Sequence, residues 1–223
     1  MASRVTKFSN LKEFLFKLDI IAPAISLVFL IIPFIIRKRE FSFSDYILIG
    51  FLFVELVLNS IAALLQSRSI NNLPIYFLNC FIIHTVFSYY FFKILYRKQF
   101  VLIGFVFFLI AFAFFFKIQP YNTFPSYLYA IASFIMILYS LIFLNQFIDT
   151  PSAYEILSLK EFWIVVGTLT YFGSSFFIFI SYNYLSIVSP KKVYILWQSH
   201  NIFLFLGCCI FLKSINSNKW ILK

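Results

Sequence analysis

Three side chains able to exchange a proton or hold an ion stand inside apolar runs of this sequence: Glu55 in FLFVELVLNSIAALLQ, His84 in NCFIIHTVFS and His200 in WQSHNIFLF. A carboxyl group at the centre of an apolar helix costs about 2.5–3.5 kcal/mol on insertion scales, so it must be protonated, paired or next to water. Helical spacing puts Glu55, Asn59, Ala62 and Gln66 on one face, Cys80, His84 and Ser88 on a second, and Trp197, Asn201, Leu204 and Cys208 on a third, with His200 beside it. Glu55, His84 and His200 each lie well inside their runs, near the midplane of a bilayer, where they are in position to meet. The chemistry this predicts is binding. Glu55 is the anchor, able to bind a cation or donate a hydrogen bond, in a pocket bordered by Asn59, His84, Trp197, His200 and Asn201 with Tyr171 and Ser174 as walls. The aromatic lining suits an apolar small molecule such as a lipid or a quinone-like compound.

Each of these residues also has a structural reading. Glu55 can simply accept a hydrogen bond, most directly from Asn59 one turn away, and the two histidines can be packing residues bonded to a carbonyl or a Ser/Thr hydroxyl. Gly167, Tyr171 and Ser174, with Thr168 and Ser175 on the next stripe, are spaced as small residues that let helices approach closely. Tyr129, Ser133, Met136 and Ser140 repeat the theme. Cys80, Cys208 and Cys209 have neither disulfide-framework nor zinc-knuckle spacing and read as packing residues.

The elements that must position these groups are membrane helices. The chain of 223 residues is 62% hydrophobic, 23% aromatic and 12% charged, with a mean hydropathy of +0.94, whereas a soluble domain carries roughly 25% charged residues. A span needs about 20 apolar residues. Seven runs approach or exceed that length, at 18–36, 46–65, 73–95, 100–116, 126–147, 162–188 and 193–212. The expected fold is therefore all-α, an integral membrane bundle of seven transmembrane helices over 18–213, with a basic tail at 1–17 and a short one at 214–223. The first run is longer than the apolar part of a signal peptide and lacks a small-x-small site, so it reads as a retained helix, with Pro23 and Pro33 expected to kink it. With no soluble domain expected, function must lie among the helices or with a partner.

Seven spans place the termini on opposite faces. The N-terminal face then holds Arg4, Lys7, Lys12, Lys17, Arg68, Lys117, Lys191 and Lys192, and the other face holds Arg37, Lys38, Arg39, Lys93, Arg97, Lys98, Lys160, Lys213, Lys219 and Lys223. The dense short-loop blocks on the second face favour an outside N-terminus by the positive-inside rule. The net charge of +10 fits basic loops beside anionic headgroups and calls for no nucleic acid. No Ser/His/Asp set, Gly-rich phosphate loop or CxxC motif points to an enzyme. Lys213 closes the seventh run rather than lying deep within it, which disfavours a retinal-type Schiff base. A small transporter is a further alternative, though no internal repeat supports it.

The stretch WQSHNIFLFLG is similar to the start of the last helix of the progestin/adiponectin receptors and alkaline ceramidases, in which two histidines four residues apart bind zinc; here the second position is Leu204. That resemblance frames an alternative, a zinc-dependent intramembrane hydrolase with Glu55, His84 and His200 as metal ligands, since a catalytic zinc site usually has three protein ligands. Over nearly the whole chain, NNLPIY, EFWIVVGTLTYFGSSFFIF and LWQSHNIFLFLGC resemble a family of small bacterial seven-helix inner-membrane proteins. The resemblance implies a compact seven-helix bundle with no output domain, similar to the membrane sensor modules of other proteins, and carries over no catalytic residues; the expectation is a protein without a cofactor that acts through a membrane or cytoplasmic signalling partner.

Overall fold

In a computed structural model, residues 15, 17–37, 40–118, 123–146 and 156–217 are described. The basic tail expected at 1–17, the loop cations Lys38 and Arg39, and most of the 214–223 tail lie outside that set. Among the described residues the chain is wholly helical: α1 (Leu18–Arg37), α2 (Phe43–Ser67), α3 (Leu73–Ile94), α4 (Lys98–Ile118), α5 (Ser126–Asn145), α6 (Lys160–Val188) and α7 (Pro190–Lys213), followed by a 3₁₀ turn, Ser214–Asn216. Six of these, α2 to α7, are long and apolar enough to cross a membrane, while α1 contributes a shorter apolar stretch, Leu18–Ile32.

Local chemistry sets the helix ends that apolarity alone misplaces. The start of α2 lies ahead of its apolar run because Ser42 and Asp45 form a reciprocal capping box, each side chain bonding the other's backbone N–H. Pro74 lies in the first turn of α3 and Pro190 opens α7, positions where the missing N–H costs nothing. Lys160, expected in a loop, instead begins α6 and is fully buried.

Consecutive helices are neighbours and α7 packs back on α1, closing a ring. Contact between α3 and α5 leaves α4 on the outside, where Val101, Phe108 and Ala111 are its buried residues and Ile103, Val106, Phe107 and Ile110 face outward. Such an apolar surface suits lipid. The densest packing joins α6 to α7 and α5 to α6. At the α6–α7 crossing, Gly207 lies under Tyr171, so that a Cβ there would stand 3.2 Å from the Tyr171 Cβ, and a Cβ on Gly167 would meet the Phe211 ring at 2.5 Å. The expected small-residue stripe therefore does bring two backbones together, with Gly207 as its second half. The interior is dominated by phenylalanine: Phe51, Phe87, Phe91, Phe108, Phe143 and Phe211 are fully buried.

Candidate functional site

Glu55 sits at the centre of the 25-residue α2 and is 3% exposed. Its Oε2 accepts from Asn59 Nδ2 at 2.9 Å and from Asn79 Nδ2 on α3 at 3.2 Å; its Oε1 faces the Tyr171 hydroxyl on α6 at 3.4 Å. Asn59 Nδ2 also donates to the Asp19 carbonyl on α1 at 3.1 Å. One carboxyl group thus gathers α2, α3 and α6, as the acceptor in each contact, and Asn59 extends the network to α1.

Around this centre the side chains are aromatic. His200 packs against Tyr171, Phe179 and Trp197, with ring centroids 5.4, 4.9 and 5.6 Å away, and its Nδ1 shares a 3.1 Å hydrogen bond with Ser175 Oγ. Phe124, just ahead of α5, touches Tyr76, Tyr129 and Trp197 and covers the centre from the side on which α3, α5 and α7 begin. The cavity at this centre is about 10 Å³ and is bordered by Glu55, Asn59, Tyr171, Trp197 and His200 together with Asp19, Tyr76 and Asn79. That is room for about one water. Larger spaces lie elsewhere, such as a groove of about 300 Å³ between α3 and α4 walled by Phe92, Phe105 and Leu102. As it stands this cavity is smaller than a lipid or quinone-like molecule.

Of the eight pocket residues expected from the sequence, five meet here and three do not. His84 stacks on Phe108 of α4 at 3.7 Å and on Phe105 at 6.2 Å, with neither ring nitrogen hydrogen-bonded. Its place one turn after Cys80 on α3 aims it at α4 rather than at the Glu55 side. Ser174 bonds back to the Thr170 and Tyr171 carbonyls of its own helix, and Asn201 donates to the Leu15 carbonyl at 3.1 Å. Glu55, His84 and His200 are consequently not assembled as a metal site. No group of three His, Cys, Asp or Glu side chains placed to hold a metal occurs among the described residues.

A second polar cluster occupies the other end of α2. Lys160 Nζ lies 2.7 and 2.8 Å from the two Asp45 oxygens and 3.2 Å from Ser42 Oγ, with both charged side chains 0% exposed. Glu161 is buried beside it, accepting from Ser44 Oγ at 3.5 Å. The spacing of Asp45 and Glu55 puts roughly 15 Å of helix between the two clusters. α2 and α6 are therefore cross-linked twice across the interior by side chains, once by charge and once by Tyr171.

The sequence pointed to neither Asp19, Asn79 and Tyr76 nor the Asp45–Lys160 pair. Asn79 stands one position before Cys80, off the Cys80, His84 and Ser88 stripe by which α3 was read. Asp45 and Lys160 fell just outside the apolar runs and passed for loop charges. No protein-family model, curated protein or solved structure matches the chain. What fold and site define together is an all-helical bundle of membrane type with two buried polar clusters.

Proposed function

We propose that this is a seven-span inner-membrane protein of the receptor-like, sensory kind, with its N-terminus outside, acting through a membrane or cytoplasmic partner rather than by catalysis. The observation that carries this reading is the convergence of α2, α3 and α6 on one carboxyl group, to which Asn59 ties α1; the hydrogen bonds of that group change whenever its charge or its neighbours change. A buried polar joint that links several helices is a bistable element of the sort a sensor requires, because its members have alternative partners only in another packing arrangement. The input is a small occupant of the Glu55 centre. The output is the packing of α6 against α7, which Tyr171 reaches directly by standing between Glu55 and Gly207.

The test is hydrogen–deuterium exchange on the full chain in nanodiscs, comparing wild type with Glu55→Gln. The variant keeps the shape and an acceptor oxygen but loses the charge. Faster exchange around Tyr171 and around Trp197–His200, with the Asp45–Lys160 end unchanged and the protein still monodisperse, is the expected result. Unchanged exchange everywhere, or loss of folded protein, would reduce Glu55 to a structural role and end the sensory reading.

A further inference from the structure

We propose, building on the reading of the Glu55 centre as a sensor's input, that the cavity between Glu55, Asp19 and Asn79 binds one sodium-sized monovalent metal cation. Two carboxylates border this cavity and no lysine or arginine does. The third oxygen comes from Asn79, which is 4% exposed. Its orientation is dictated by Glu55: the NH₂ group must face the carboxyl it bonds, since the amide oxygen would be repelled there. Turned that way, Asn79 Oδ1 is buried without a protein partner, on a residue that borders the cavity. Leaving such an acceptor without a partner is costly, and a bare cation would supply one.

The donor set selects the class of ion. Carboxylate and amide oxygens are hard ligands suited to hard cations, whereas the soft or nitrogen ligands that zinc and copper favour are not gathered at this point. Space selects further. A cavity of about 10 Å³ admits a single dehydrated ion or one water, which excludes organic cations and leaves no room for the waters that magnesium retains. Charge argues for one positive unit, because dehydrating an ion inside a bundle of this apolarity becomes much costlier as its charge rises. Asp19 is well placed as the movable ligand. Its backbone is held to α2 through Asn59, while its side chain is half-buried at the start of α1.

The experiment is thermal unfolding of the purified full chain in detergent, with sodium chloride titrated against N-methyl-D-glucamine chloride at constant total chloride. A saturable cation site raises the melting temperature by roughly 3–6 °C for each tenfold increase in sodium above the dissociation constant. Asp19→Asn, whose side chain lies outside the hydrogen-bond network of Glu55, should fold normally and weaken the sodium response by about tenfold or more. Asn79→Leu, which removes the orphan oxygen, should abolish the response. Identical melting in sodium and N-methyl-D-glucamine for the wild type would overturn the proposal and leave the cavity to water. So would a sodium response that Asp19→Asn does not alter. A failed sodium titration alongside altered exchange in Glu55→Gln would remove the cation and keep the sensory reading; a sodium response without altered exchange would do the reverse.

Discussion

The two buried carboxyl groups of α2 differ in what they meet. Asp45 has a full counter-ion at 2.7 Å, and Glu55 has three neutral donors. Removing Lys160 would strand Asp45 in a site from which water is excluded. Lys160→Met is therefore expected to destabilise the protein by about 3–5 kcal/mol, and the double substitution Lys160→Met with Asp45→Leu to recover most of that loss. Thermal or denaturant melts of the three proteins check this, and a single variant as stable as the wild type would show that the pair contributes nothing. Tyr171→Phe tests the other link. Its hydroxyl stands 3.4 Å from Glu55, at the long edge of hydrogen bonding, so its removal should cost about 1 kcal/mol or less while leaving the packing of the ring on His200 intact.

Among the helices, the α6–α7 pair depends on the absence of two side chains. Gly167→Ala would drive a methyl group into the buried Phe211 ring, and Gly207→Ala would press on the Tyr171 Cβ, which cannot swing aside without moving its backbone. Each should lower stability by about 1–3 kcal/mol, with Gly167→Ala the more damaging, as melting temperatures of the purified variants would record. Gly50→Ala and Gly173→Ala, where an added Cβ meets nothing within 4 Å, serve as neutral controls. The existence of these helices was legible from apolar length alone, because a bilayer permits little else. Their ends were less so. Ser42, Asp45 and Lys160 look like loop residues until the capping box and the ion pair draw them into the bundle, and the ion pair links positions 115 residues apart. The candidate site was half legible for the same reason. Glu55 and Asn59 share a face by local periodicity, and the structure places Tyr171, Trp197 and His200 with them. Helix rotation, which periodicity on α3 does not define, sent His84 toward α4 and brought Asn79 inward.

For the molecule as a whole, the question is how many times the chain crosses the bilayer. Six helices are long and apolar enough on their own, and α1 is the short one. Lys17 and Glu40 flank α1 and are both exposed, so each can carry a reporter cysteine in a background from which Cys80, Cys208 and Cys209 have been removed. With seven spans and the outside N-terminus proposed above, a membrane-impermeant maleimide applied from outside whole cells should label Lys17→Cys and spare Glu40→Cys; the opposite pattern would keep the crossing and reverse the orientation. Labelling of both, or of neither, would mean that α1 does not cross. Tyr96, 81% exposed between α3 and α4, and Ser69, between α2 and α3, provide the matching pair for α3 and should also report from opposite sides.

Only Ser189 separates the end of α6 at Val188 from the start of α7 at Pro190. A joint this short cannot let one helix enter the bilayer and leave the other behind for long. During synthesis the pair should therefore partition into lipid as one hairpin, zipping from Ser189 toward the Gly167–Gly207 contact before α1 arrives to close the ring. Lengthening that joint with flexible residues should delay assembly more than it weakens the finished protein, since contacts close in sequence form quickly and loop closure costs little at equilibrium.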